Sequence, residues 1–280
     1  MAQIGARLFE RFLNAIANGG ISPFIQKFIW KFWYQIITLG WRDREWCFMN
    51  YGYVPEPGAA QLKLEERDEK DRCFIGLYHH VTQGLPVKGQ RVLEIGSGRG
   101  GGSAFIARYL RPAEITGVDF APTLVAFSSH VHSASGNLKF IRGDAENLAF
   151  GDNTFDVVVN IESSHCYADM PRFVAEVVRV LKPGGFFAWA DMRATTMPAN
   201  TDQAFSHPGL IPVRAEDISA GVVRALDAVH DRKVKLVEKY RLFAPLLREF
   251  SGTRGSILYH GLKTGKVAYL VKTFRKRSSA

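Results

Sequence analysis

Glycines at 96, 98, 100 and 101 follow the apolar run Val92-Leu93-Glu94-Ile95, which carries a single acid. Glycine lets backbone N–H groups approach a ligand that a Cβ would push away. The helix-prone segment Ser103–Leu110 that follows aims its positive end at the same spot. A turn of this kind binds a nucleotide-like cofactor. The glycines do not say which one, because Gly96, Gly98 and Gly101 also satisfy the dinucleotide pattern G-x-G-x-x-G.

Residues further along narrow the choice. Glu94 sits where a dinucleotide fold keeps an apolar residue, and it can accept bonds from an amino-acid moiety or orient the glycine loop. Asp119, followed by Phe120, ends a second apolar run, where its carboxylate can accept both ribose hydroxyls. NAD proteins carry the same acid, so Asp119 alone does not discriminate. A third run leads into Gly143-Asp144-Ala145-Glu146, whose Asp144 side chain and Ala145 backbone can read an adenine edge. The run Val157-Val158-Val159-Asn160-Ile161-Glu162 ends in two more candidate cofactor contacts, Asn160 and Glu162; Glu162 could instead be catalytic. His165 is the candidate general base, since imidazole titrates near working pH. Asp191, ending the next run, could orient that imidazole. The plainer alternatives are a histidine bonded to its loop and an aspartate capping a turn.

Elements that must position these residues alternate from Gln90 onward. Strands are expected at Arg91–Ile95, Glu114–Asp119, Leu138–Arg142, Phe155–Ile161, Gly185–Asp191, Ser256–His260 and Lys266–Phe274, with helices between the first five, for example Met170–Leu181. Alternation predicts a parallel α/β sheet covered on both faces. The loop Gly261–Gly265 is short enough only for an antiparallel hairpin, so one reversed strand is expected near the end of the sheet. Residues 1–85 read as an N-terminal helical cap, and 86–280 as the cofactor domain with a substrate-binding insertion around 192–250. Within the cap, residues 24–37 form an aromatic helix with a narrow polar stripe at Lys27, Lys31 and Gln35. It could pack on the core, close over a greasy pocket or lie in a membrane interface.

Together Glu94–Gly100, Asp119, Gly143–Glu146, Phe155–Val158 and Leu181-Lys182-Pro183-Gly184-Gly185 resemble the class I S-adenosylmethionine-dependent methyltransferases over about residues 75–275. The resemblance implies a Rossmann-like, mostly parallel sheet and S-adenosyl-L-methionine as cofactor. Gly96, Gly98 and Gly100 would line it, Asp119 would hold its ribose, and Asp144 with Ala145 its adenine. Asn160–Tyr167, with Phe173–Leu181, Leu77-Tyr78-His79 and Trp30–Tyr34, is similar to the mycobacterial phthiotriol/phenolphthiotriol dimycocerosates methyltransferases. Those enzymes O-methylate a hydroxyl of a lipidic polyketide. Sugar O-methyltransferases resemble Glu162–His165 and Ala190-Asp191, and use the matching histidine and aspartate in catalysis. The expectation is therefore an O-methyltransferase of a hydrophobic small molecule. A C-methyltransferase of the quinone or sterol type, and a non-catalytic cofactor-binding or membrane-associated protein, are the alternatives.

Composition adds exclusions. The net charge of +9 comes from scattered Lys and Arg with no zinc-finger, RNP or basic-zipper pattern, so no nucleic-acid partner is expected. Three cysteines without C-x-x-C spacing point to a reducing compartment, and no metal site is expected. Glu10, Arg11 and Asn14 interrupt any signal-peptide core, which suggests a cytoplasmic protein.

Overall fold

The computed structural model describes residues 46–196, 198–238, 247–249 and 251–278. The aromatic segment 24–37 and the rest of the expected cap before residue 46 lie outside the described residues. A seven-stranded sheet organises the remainder. Its strands are β1 (Arg91–Ile95), β2 (Glu114–Asp119), β3 (Leu138–Arg142), β4 (Phe155–Ile161), β5 (Leu181–Ala194), β6 (Leu210–Asp217) and β7 (Val267–Lys276). The order is β3-β2-β1-β4-β5-β7-β6, parallel except for β7, which is antiparallel to both neighbours.

After a single turn at Glu66–Glu69, the longer helices among the described residues are, in chain order, α1 (Arg72–Thr82), α2 (Gly101–Phe105), α3 (Pro122–Val131), α4 (Met170–Val180), α5 (Pro198–Phe205), α6 (Ser219–Ala228), α7 (His230–Glu238) and α8 (Ile257–Thr264). α2 continues into a turn of π-helix over Ile106–Leu110. The strands alternate between two cores, as a pleat requires. Val92, Val157, Val159 and Ile161 pack with Phe74, Leu77 and Val81 of α1 and with Val222 and Leu226 of α6. Leu93, Ile95 and Val158 face the other way, against Phe173, Val174, Val177 and Val180 of α4. That α4 quartet recurs at helical spacing, so one apolar stripe meets the sheet. Asp169 caps the helix by accepting from Arg172 N at 2.9 Å.

Two expectations fail near the C-terminal end. Ser256–His260 is not a strand; it opens α8, and Gly261–Gly265 is not a hairpin loop. Ser256 Oγ accepts from Tyr259 N at 3.2 Å as an N-cap, and Gly265 ends the helix in the left-handed region at φ 72°. The sixth strand lies instead at Leu210–Asp217, within the segment expected to be a substrate-binding insertion. It is an edge strand containing Pro212, with the register shifting between Pro212 and Arg214 and with Ile211 and Val213 exposed. Proline is tolerated there because an edge strand leaves some N–H groups unpaired. The reversed strand itself, β7, is where the sequence placed it.

Candidate active site

The carboxyl ends of β1, β2, β4 and β5 open into one cavity, as expected of a doubly wound sheet. At the end of β1 the chain turns sharply, with Gly96, Gly98 and Gly100 all at positive φ (78°, 52° and 82°). Gly96 leaves least room, since a Cβ there would stand 2.2 Å from Ser163 Oγ. Asp119 fastens the turn: Oδ2 accepts from Gly98 N at 2.8 Å and Oδ1 from Ala121 N at 2.9 Å. Burial pushes its carboxyl above the usual value.

Gly96, Gly98, Asp119, Phe120, Asp144, Ala145, Glu162 and His165 line the cavity. Four other expected site residues stand behind its wall. Glu94 is fully buried and accepts from Tyr78 OH at 2.7 Å and from Ser103 Oγ, which ties β1 to α1 and α2; burial raises its pKa to about 7. Gly100 faces the rings of Phe140 and His132. Asn160 Nδ2 donates to Ile95 O and Ser163 Oγ, bracing the turn from below. Asp191 is likewise fully buried and acts through its neighbour.

That neighbour is His165, whose Nδ1 lies 2.8 Å from Asp191 Oδ1. Asp191 Oδ1 also accepts from Met192 N (2.9 Å), while Oδ2 accepts from Ser164 Oγ (2.7 Å) and His165 N (2.9 Å) and pairs with Arg193 (3.1 Å). Arg193 and Trp189 Nε1 both donate to Ser164 Oγ, so the hydroxyl is itself oriented. Burial disfavours the charged carboxylate, but His165 and Arg193 outweigh it and hold Asp191 well below the usual range. Burial also pulls the imidazole down, yet Cys166 and the Asp191 carboxylate raise His165 well above an ordinary histidine. With Nδ1 facing Asp191, Nε2 is the nitrogen that can exchange a proton with a substrate.

Glu162 follows β4 with φ 49°, a left-handed backbone that a residue other than glycine or asparagine adopts only when its surroundings impose it. Its Oε1 accepts from Tyr51 N at 2.8 Å and from Tyr269 OH at 2.7 Å, and burial raises it to about 7. Tyr51 belongs to a strap, residues 46–51, laid across the glycine turn. Cys47 O accepts from Gly101 N at 3.0 Å, and Trp46 O from Arg99 Nε. The sequence gives Tyr51 only as part of a family resemblance, and it assigns no site role to the strap, Tyr269 or Lys233. Lys233 in particular sits among other charged residues, Asp231, Arg232 and Lys235, and nothing in its residue type sets it apart from them.

The cavity suits a nucleoside carrying an amino-acid tail. Asp119 offers carboxylate oxygens for ribose hydroxyls, and Phe120, Leu124 and Ala145 provide apolar walls beside Asp144. Ser97 Oγ is buried on the lining with no partner among the described residues, a polar atom left for a ligand. Residues 93–189 match a family model described as a methyltransferase domain. The chain is 38% identical over 272 residues to the phthiotriol/phenolphthiotriol dimycocerosates methyltransferase of Mycobacterium leprae, covering 96% of this chain and 99% of that one.

This chain is a class I S-adenosylmethionine-dependent methyltransferase.

The methyltransferase is also 36% identical over 248 residues to a fatty-acid O-methyltransferase of Mycolicibacterium smegmatis, covering 88% of this chain and 89% of that one. Its fold matches that of a geranyl diphosphate methyltransferase solved with S-adenosylmethionine, with a TM-score of 0.61 at 15% identity, covering 82% of this chain and 99% of that one. Among the described residues of the enzyme, no helix is long and apolar enough to cross a membrane.

Proposed function

We propose that this methyltransferase methylates a hydroxyl oxygen of a hydrophobic, lipid- or polyketide-like acceptor, and that His165 takes the hydroxyl proton. The observation that carries the reading is the His165–Asp191 pair. A cavity-lining imidazole has Nδ1 2.8 Å from a buried carboxylate, the arrangement that orients a histidine to act as base through its other nitrogen. When bound, S-adenosylmethionine supplies a methyl carbon made electrophilic by its positive sulfur. An aliphatic hydroxyl is too weak a nucleophile to need only alignment, so a base at this point serves O-methylation directly. Asp191 fixes the imidazole tautomer and stabilises the imidazolium that forms. Asp119 holds the ribose, Asp144 and Ala145 the adenine, and the glycine turn with Ser97 the remainder of the donor.

Two relatives support the acceptor class, since their names place one on a phthiotriol lipid and the other on fatty acids. The apolar lining from Trp46, Phe48, Met49, Met192 and Leu247 suits such a chain and excludes water from the reacting pair.

The test is His165→Ala assayed with isotopically labelled methyl donor and a long-chain secondary alcohol. Turnover is expected to fall about 100- to 10,000-fold, with donor affinity by calorimetry unchanged. An unchanged rate overturns the base assignment. A methyl group that survives ether cleavage of the product overturns O-methylation.

A further inference from the structure

A second polar group faces the cavity and takes no part in the proton transfer described above. Lys233 of α7 is only 3% exposed, and it lines the cavity together with Tyr51, Glu162, Met192 and Ser251. Its Nζ lies 5.1 Å from the Tyr51 ring centre and 5.5 Å from that of Phe74. One hydrogen bond is made, to Ser251 O at 2.8 Å. An ammonium carries three donors, and among the described residues the other two have no partner. A buried ammonium gives up a hydration shell that one carbonyl and two ring faces do not replace, and burial accordingly lowers its pKa to about 8. Leu236 and Val237 of the same helix fill the core without such a cost. A cation in this position serves a ligand better than it serves the fold.

Glu162 completes the picture. Its Oε1 is occupied by Tyr51 N and Tyr269 OH, while Oε2 has no partner among the described residues. The two side chains feel each other's charge but are not in ion-pair contact. Unfilled donors and an unfilled acceptor on one cavity lining match a group that accepts and donates at once. A hydroxyl does both; a carboxylate only accepts, and an ionised Glu162 repels it.

We propose that Lys233 and Glu162 hold a second hydroxyl of the acceptor, so that the preferred substrate is a diol or polyol whose other hydroxyl reaches His165. This rests on the reading that the acceptor enters this cavity as a hydrophobic alcohol. Lys233 is then the residue that sets specificity.

The test measures binding to the enzyme saturated with S-adenosylhomocysteine, using three probes of equal chain length: a diol, a mono-alcohol and a fatty acid. Wild type should bind the diol about tenfold more tightly than the mono-alcohol, the worth of a hydrogen bond to a charged group. Lys233→Met should bring that ratio close to one. A wild type without the preference, or a methionine variant that keeps it, overturns the proposal. Tightest binding of the fatty acid, lost in Lys233→Met, overturns the hydroxyl assignment in favour of a carboxylate. If the methionine variant does not fold, Lys233→Gln retains a donor for the Ser251 carbonyl, and its ratio must still fall. The binding ratio does not depend on where the methyl group goes, so a C-methylated product sinks the proposed function and leaves this result standing.

Discussion

Replacing Asp191 with asparagine removes a buried negative charge and leaves one acceptor oxygen where the native side chain has two. Oδ1 serves His165 Nδ1 and Met192 N; Oδ2 serves Ser164 Oγ, His165 N and Arg193. Whichever way the amide turns, at least two donors lose their acceptor and meet an NH2 group instead. Each buried unsatisfied group costs about 1–3 kcal/mol, and breaking one side of a buried ion pair costs about 3–5 kcal/mol. The two figures agree on about 3–5 kcal/mol, which for a chain of 280 residues lowers Tm by about 5–9 °C. The pH dependence carries the sharper signature. His165 must be neutral to act as a base, and its raised pKa places the acid limb of kcat/KM above the ordinary histidine range. Without the carboxylate, burial is less opposed, so the limb moves toward acid pH. Stability follows by linkage. The depressed Asp191 stabilises the fold above its unfolded pKa and loses that contribution as pH falls through its folded value. The raised His165 stabilises below its unfolded pKa and loses its contribution as pH rises through its folded value. The stability gap between wild type and Asp191→Asn should therefore be widest between about pH 4 and 6.5. Denaturant titration at several pH values and a pH–rate profile measure both effects. A variant that melts with the wild type and keeps its acid limb refutes the coupling of Asp191 to His165.

Two other substitutions test the donor side. Asp119→Ala removes the acceptor for Gly98 N and Ala121 N as well as the proposed ribose ligand, so calorimetry should show donor affinity weakened by about 10- to 100-fold. Glu94 is raised by burial from 4.5 to about 7, so the native state binds its proton more tightly than the unfolded chain does. Its contribution to stability therefore declines as pH rises from about 4.5 to 7. Glu94→Gln should flatten that decline in urea titrations, and an unchanged slope would rule Glu94 out as its source.

The first five strands were legible because buried parallel strands are continuous apolar runs, and Val157-Val158-Val159 has no other easy reading. The glycine turn, Asp119 and the His165–Asp191 pair were legible for a related reason: each ends such a run, and run ends converge at one edge of a doubly wound sheet. Leu210–Asp217 escaped notice because an edge strand is mostly exposed and tolerates Pro212, leaving neither alternation nor an apolar run. Ile257-Leu258-Tyr259 looked like a strand by residue type. Ser256 and Gly265 decided otherwise, one by capping and one by its left-handed backbone. Lys233 was illegible in principle. Only the packing of α7 against Tyr51 and Phe74 distinguishes it from its exposed neighbours. Glu94 shows the converse limit, since its position in the run was read correctly while its partners, Tyr78 and Ser103, could come only from tertiary structure.

The reversed direction of β7 has a consequence for assembly. β7 is made after β5 and β6 yet lies between them, and Tyr269 pairs with Met192 at the carboxyl end of β5. During synthesis, the edges that will receive it must wait unpaired and open to wrong partners. Glu162 meanwhile lacks the phenol that holds its carboxylate. The pocket is thus finished late, by a strand threaded into a gap, and a nascent chain can hold most of its sheet before it has a complete place to do chemistry.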